Sequence, residues 1–232
     1  MDNTKEKWST KAWDSVQPLL KDIYEHDFLK QLQAGTLDKS RFHFYIQQDG
    51  YYLSDYGKTL AGIGTKLPEV KHRADFMGFA QNTIGVEQAL HGTYRAELGD
   101  FPTPVKSPTC ELYTSYLAKV LQFEPIEVAL AAVLPCFWIY KAVGDHLLAQ
   151  PQVTTDNPYQ AWINTYSGED FAKSVATAIE ITDFYAGQSP YQKEMMAAFQ
   201  KASQLEWLFW DSAFQKEEWP HLGKNGLKSP KI

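Results

Sequence analysis

Apolar residues recur at helical spacing along most of the chain. Trp13, Val16, Leu19, Leu20 and Ile23 form a first stripe, and Phe28, Leu29 and Leu32 a second that ends at Gly35, where a helix stop belongs. Thr36-Leu37-Asp38 then supplies an N-cap for a helix carrying Phe42, Tyr45, Ile46, Asp49, Tyr52, Leu53 and Tyr56. Gly62 and Gly64 are expected to interrupt it, and Pro68 to open a stretch running through Phe76, Phe79, Ile84, Ala89 and Tyr94 to Gly99. Three pairs, Ser107-Pro108, Asn157-Pro158 and Ser189-Pro190, read as an N-cap followed by a proline in the first turn, where its missing N–H costs no hydrogen bond.

Glu124-Pro125 begins a further helix, Ile126 to about Leu148, that is apolar nearly all round and therefore belongs at the centre of a bundle. Pro135 within it removes a backbone donor and clashes with the carbonyl of Ala131, so a kink is expected. No alternating Val/Ile/Thr-rich stretch between turns suggests a strand, and no repeat or long linker divides the chain. The pattern predicts an all-α single domain over 1–232, with about 220–232, containing Gly223, Gly226 and Pro230, as a loosely held tail.

Composition narrows the function. With 22 Lys and Arg against 28 Asp and Glu, the net charge of −6 speaks against nucleic acid, whose phosphates need clustered cations. The polar N-terminus and a longest apolar run of about thirteen residues, Val128 to Tyr140, suggest no membrane span and a cytoplasmic protein. Two cysteines, Cys110 and Cys136, without CxxC spacing, offer neither a disulfide framework nor a thiolate metal site. Aromatic residues reach 14%, with 13 Tyr and 7 Trp, and aromatic walls that also hydrogen bond suit a flat heterocycle.

Five segments could carry chemistry. In Leu134-Pro135-Cys136-Phe137-Trp138-Ile139-Tyr140 the thiol and Tyr140 share a face at i, i+4. Cys136 is either a small core residue or a thiol turned into a cavity by the proline. Asp49, on a face otherwise made of Tyr45, Ile46, Tyr52 and Leu53, is a surface carboxylate at another helix phase, one bonded structurally to a tyrosine, or a functional group. Glu206, in Glu206-Trp207-Leu208-Phe209-Trp210, lies on a polar stripe or is a desolvated acid with a raised pKa. Tyr113, Tyr116, Trp162 and Tyr166 are packing aromatics or ligand contacts. The histidines His26, His43, His72, His91, His146 and His221 are scattered; Glu87 and His91 share a face, but one such pair is half of a carboxylate metal site, and none is expected.

In this order, His26-Asp27-Phe28-Leu29, Gly35-Thr36-Leu37, Phe44-Tyr45-Ile46-Gln47-Gln48-Asp49 with Tyr51-Tyr52-Leu53, the Cys136 segment, Trp162-Ile163-Asn164-Thr165-Tyr166 and Leu205-Glu206-Trp207-Leu208-Phe209-Trp210 resemble the TenA/thiaminase II family. The chain differs from many members in having Asp27, not proline, after the first of these histidines. The resemblance implies a haem-oxygenase-like helical bundle, usually a homotetramer, working without metal or organic cofactor on thiamin or a related aminopyrimidine. It places Asp49, Tyr52, Tyr113, Cys136, Tyr140, Tyr166 and Glu206 at active-site positions, with Tyr116 competing for the place of Tyr113. It makes Cys136 the nucleophile of the Cys-containing branch, Glu206 a proton donor, and the tyrosines the walls that orient the ring. Asp49 would act on the thiol or on the ring's amino group. Two other readings of the same fold are a haem- or redox-handling protein with His26 as axial ligand, and a non-catalytic regulator.

Overall fold

The computed structural model describes residues 6–98, 104–150 and 156–220, with side chains throughout these except 86–98. Among them ten helices follow one another and no strand occurs. They are α1 (Trp8–Ser15), α2 (Gln17–Tyr24), α3 (Asp27–Gln33), α4 (Lys39–Lys66), α5 (Val70–Leu98), α6 (Pro108–Phe123), α7 (Ile126–Ala149), α8 (Gln160–Ser167), α9 (Glu169–Ala186) and α10 (Gln192–Gln215).

The helix starts follow the polar caps. Asp38 accepts from the backbone N–H groups of Ser40 and Arg41, Ser107 from that of Cys110, and the His26 ring from that of Phe28, each satisfying a donor the first turn leaves open. α1 has no cap of its own. Asp183 of α9 takes its place, accepting from Ser9 N at 2.8 Å and Ser9 Oγ at 2.7 Å.

α7 is the axis. It is buried without a break from Val128 to Pro135, and α4, α6, α8, α9 and α10 pack around it. Although α7, at 24 residues, is long and apolar enough to cross a membrane, 72% of its most apolar window is buried in the bundle. The apolar helix thus extends beyond the thirteen-residue run read from sequence, and its partners are protein. Pro135 does not interrupt α7, which continues to Ala149; in the turn before it, Val133 O takes a hydrogen bond from Tyr56 Oη at 2.8 Å.

Several boundaries differ from the sequence reading. The opening stripe divides at Val16, because Pro18 in the first turn of α2 cannot donate back into α1. Gly62 and Gly64 do not end α4, which runs to Lys66; a Cβ on Gly62 would stand 2.5 Å from Leu121 of α6, so glycine here allows close packing of helices. Asn157 and Ser189 do not cap a helix. They accept from Tyr159 N at 2.9 Å and Tyr191 N at 3.0 Å, turns that precede α8 and α10. Gly99 and the tail beyond residue 220 lie outside the described residues.

Gly144 sets the approach of α8 to α7. A Cβ there would lie 2.6 Å from the carbonyl carbon of Tyr166 and 2.8 Å from Ser167 N, both backbone atoms that cannot turn aside. Gly144→Ala should therefore lower stability by about 1–3 kcal/mol, the usual cost of overpacking, and move α8. Thermal melting reads the first effect, and a melting temperature equal to that of the unsubstituted protein would contradict the close approach.

Candidate active site

α4, α5, α7, α8 and α9 enclose a cavity of about 770 Å³, lined by Asp49, Tyr56, Cys136, Phe137, Tyr140 and Tyr166, with Phe79 and Phe171 among the others. Helix periodicity gathers these groups. Asp49 and Tyr56 stand seven residues apart on α4, with Tyr52 between them on the same face, and Cys136 and Tyr140 stand four apart on α7. Aromatic rings support the wall from behind: Tyr140 packs on Tyr166 at 4.8 Å between centroids and on Trp210 at 5.1 Å.

The sequence-derived residues divide into two groups. Asp49, Cys136, Tyr140 and Tyr166 line the cavity. Glu206, Tyr113 and Tyr52 form a buried cluster near the thiol. Tyr113 Oη donates to Glu206 Oε1 at 2.6 Å, and the Tyr113 ring packs on Tyr52 at 4.9 Å. Tyr113, not Tyr116, is thus the α6 tyrosine joined to the acid. Tyr52 Oη is buried without a hydrogen bond of full geometry.

Burial sets the protonation of Glu206 and Cys136. Glu206, on α10, is 1% exposed. Its pKa is pushed up to about 8, first by loss of water and further by the negative charge of Asp49, against the lowering hydrogen bond from Tyr113. At neutral pH it is a neutral acid. With Tyr113 donating to Oε1, the other oxygen is left to carry the proton.

The Cys136 thiol is held well above its ordinary value, mainly by burial and then by the nearby Glu206. Asp49 adds to the effect, and the Tyr52 and Tyr56 hydroxyls offset part of it. Cys136 retains some accessible surface although it lies deep in the bundle, because it borders the cavity. Cys110 has no such outlet. It is buried, its Sγ donates to Gln48 O at 3.5 Å, and burial pushes its pKa up to about 12.

Sequence reading did not single out Tyr45, Tyr56, Phe79, Phe137 and Phe171. Tyr56 was within reach, since it continues the Asp49 and Tyr52 face by one turn. The others depend on how helices meet. His26 lies away from this cavity. Its Nδ1 accepts from Phe28 N at 3.1 Å and its Nε2 stands 3.5 Å from Asp211 Oδ1, so both ring nitrogens are engaged where an axial ligand needs one free. Among the described residues no group of three or more His, Cys, Asp or Glu side chains is placed to hold a metal; the Glu87 and His91 side chains lie outside them.

The sequence pattern that defines the TENA/THI-4/PQQC family matches residues 13–216. The chain belongs to that family. An aminopyrimidine aminohydrolase of Halalkalibacterium halodurans is 31% identical over 223 residues, covering 93% of this chain and 99% of that one. Another, of Bacillus subtilis, is 32% identical over 221 residues and 92% of each chain. The thiamine biosynthesis multifunctional protein ThiED of Corynebacterium efficiens is 34% identical over 187 residues, but this family member spans only 25% of its length.

Among solved structures, a TenA homologue of P. horikoshii OT3 superposes with a TM-score of 0.80 at 26% identity, covering 90% of this chain and 99% of that one. A protein of Shewanella denitrificans OS217 described as having a heme oxygenase-like fold gives 0.71 at 16% identity, covering 96% and 97%. This member of the family therefore has the haem-oxygenase-like, all-α fold.

The raised pKa of Glu206 ties stability to pH. A carboxyl titrating near 8 when folded and near 4.5 when unfolded contributes its full stability below 4.5, and that contribution is lost as pH rises through about 8. The slope approaches about 1.4 kcal/mol per pH unit between those values. Glu206→Gln, which keeps an acceptor for Tyr113, should flatten the decline. Chemical denaturation of both proteins at pH 5, 7 and 9 checks it, and parallel declines would contradict a neutral buried Glu206.

Proposed function

We propose that this chain is an aminopyrimidine aminohydrolase. It hydrolyses the C–N bond at the pyrimidine methylene of thiamin, or of its aminomethyl-aminopyrimidine breakdown product, to give hydroxymethylpyrimidine. One observation carries the reading: a cysteine thiol opens onto an aromatic-walled cavity beside a buried carboxyl that is neutral at pH 7. The aminohydrolases similar to the chain over nearly their whole length support it. The same reading takes the protein to act as a cytoplasmic homotetramer in thiamin salvage, with no metal or organic cofactor.

The chemistry asks an aromatic ring to accept a nucleophile, which is slow unless the ring is protonated as the bond forms. In the proposed route Cys136 Sγ bonds to an electron-poor ring carbon while its proton passes to Asp49, and Glu206 gives its proton to a ring nitrogen. The thiol never has to exist as a free thiolate, which burial disfavours. The electron pair of the dearomatised ring then expels the amine from the methylene carbon. An aminomethyl group leaves as ammonia with the proton held by Asp49, whereas the thiazole of thiamin leaves with the electron pair alone and Asp49 gives its proton to water. In both cases the ring nitrogen returns its proton to Glu206. Water adds to the exposed methylene, and loss of the thiol restores the ring. Tyr52, Tyr113, Tyr140 and Tyr166 hold the ring in plane for these steps. Asp49, once recharged, accepts from the ring's amino group.

Cys136→Ser should reduce turnover of both substrates at least about a thousand-fold while leaving the melting temperature within a few degrees. Undiminished turnover would remove the nucleophile. For the unsubstituted enzyme, kcat/KM should fall as pH rises past about 8, where Glu206 loses its proton, and Glu206→Gln should lose that limb together with about a hundred-fold or more in kcat. An unchanged limb in the variant would assign it to another group.

A further inference from the structure

Behind the cavity wall runs a buried row of hydrogen bonds that the proposed chemistry leaves unused. Trp162 Nε1 donates to Tyr45 Oη at 3.2 Å, and Tyr45 Oη donates to Tyr140 Oη at 3.3 Å. Trp162 and Tyr45 are fully buried, at 0% exposure, and the Tyr45 ring is held flat against Trp210 at 5.3 Å and 10°. Tyr140, at the far end, lines the cavity with Cys136 and Asp49.

The row has a fixed direction. An indole N–H can donate and has no lone pair with which to accept, so Tyr45 Oη is always the acceptor at Trp162. That leaves Tyr45 one proton to place. Bonding geometry is met at Tyr140; Tyr166 brings its hydroxyl up to the same oxygen without a full bond, and the Asp49 carboxylate, which also lines the cavity, acts on it by its charge. Were Tyr140 to donate back instead, the Tyr45 proton would stay buried and unspent, which costs more than the bond itself is worth. Tyr140 therefore accepts from Tyr45, and its own proton is directed elsewhere.

We propose that Tyr45 is a positioning residue: by donating to Tyr140 it fixes the Tyr140 hydroxyl as a hydrogen-bond donor to the cavity. The ligand atom met there is then an acceptor, such as an unprotonated ring nitrogen, and not an amino group. Trp162 enforces the direction from one step further back. For the identity of the ligand the inference rests on the aminopyrimidine reading.

The test is a double-mutant cycle on Tyr45→Phe and Tyr140→Phe, reading kcat/KM, calorimetric binding of hydroxymethylpyrimidine, and melting temperature. Tyr45→Phe keeps the ring and its stacking and removes only the hydroxyl. It should weaken pyrimidine binding and kcat/KM roughly ten-fold, whereas in the Tyr140→Phe background the same change should cost less than about two-fold. Equal losses in the two backgrounds, or none in either, would overturn the proposal, because a role in packing alone does not depend on the Tyr140 hydroxyl. Trp162→Phe should act in the same direction and also fade in the Tyr140→Phe background, and that pair carries the test if Tyr45→Phe folds poorly. An unsubstituted protein that binds and hydrolyses the pyrimidine while the losses add would sink this inference alone. One that neither binds nor hydrolyses would sink the aminopyrimidine reading and this inference with it.

Discussion

Because α7 is covered on all sides by α4, α6, α8, α9 and α10, groups near its middle lose most of their water, and the character of the site follows from that. Cys136 sits there next to a cavity, with no lysine or arginine among the groups that shift its pKa. Glu206 reaches the same region from α10 and keeps its proton. The loss of water needs close helix approach, which Gly62 and Gly144 permit, and packing of the aromatic rings that close the gaps between Tyr45, Tyr140, Trp162 and Trp210. Stability and reactivity therefore draw on the same packed interior.

In a site built this way the Cys136 thiol and the Glu206 carboxyl both rest protonated beside the charge of Asp49. Cysteine enzymes that lower the thiol pKa place a cation or a helix N-terminus beside it; here burial and Glu206 act in the opposite sense. Two of the site's polar contacts are hydrogen bonds between neutral groups, a short one from Tyr113 to Glu206 and a longer one from Tyr45 to Tyr140. Keeping Cys136 and Glu206 neutral avoids burying further ions next to the Asp49 carboxylate. It also means that Glu206 gives up its proton only when a ring able to take it up is present.

Much of this was legible in the sequence because helical periodicity and N-caps act locally. Asp38 and Ser107 cap the helices expected of them, and the all-round apolarity of Ile126 onward announced the central helix. Legibility failed where a distant contact decides the outcome. Gly62 looked like a break until Leu121 was seen filling the space beside it. α9 carries no cap of its own, since Gly168 precedes it without a side-chain bond, and so went unmarked. Within the site, residues that share a helix face were found together, as Asp49 with Tyr52 and Cys136 with Tyr140. Tyr45 was read only as part of the helix face around Asp49, since nothing in its spacing shows that an indole N–H from α8 approaches its hydroxyl.

Chain order adds a consequence of its own. Asp49 and Tyr52 are made before Cys136, and Glu206 after it, on the helix that packs against α1, α2, α3, α4, α6 and α7. Until α10 is in place, one side of the central helix stays wet and the thiol has no acid beside it. During synthesis Cys136 is therefore an ordinary hydrated cysteine before α10 docks. Docking of α10 seals the interior and brings Glu206 to the region of Cys136 in the same event, so the two meet only once α10 has been made and packed.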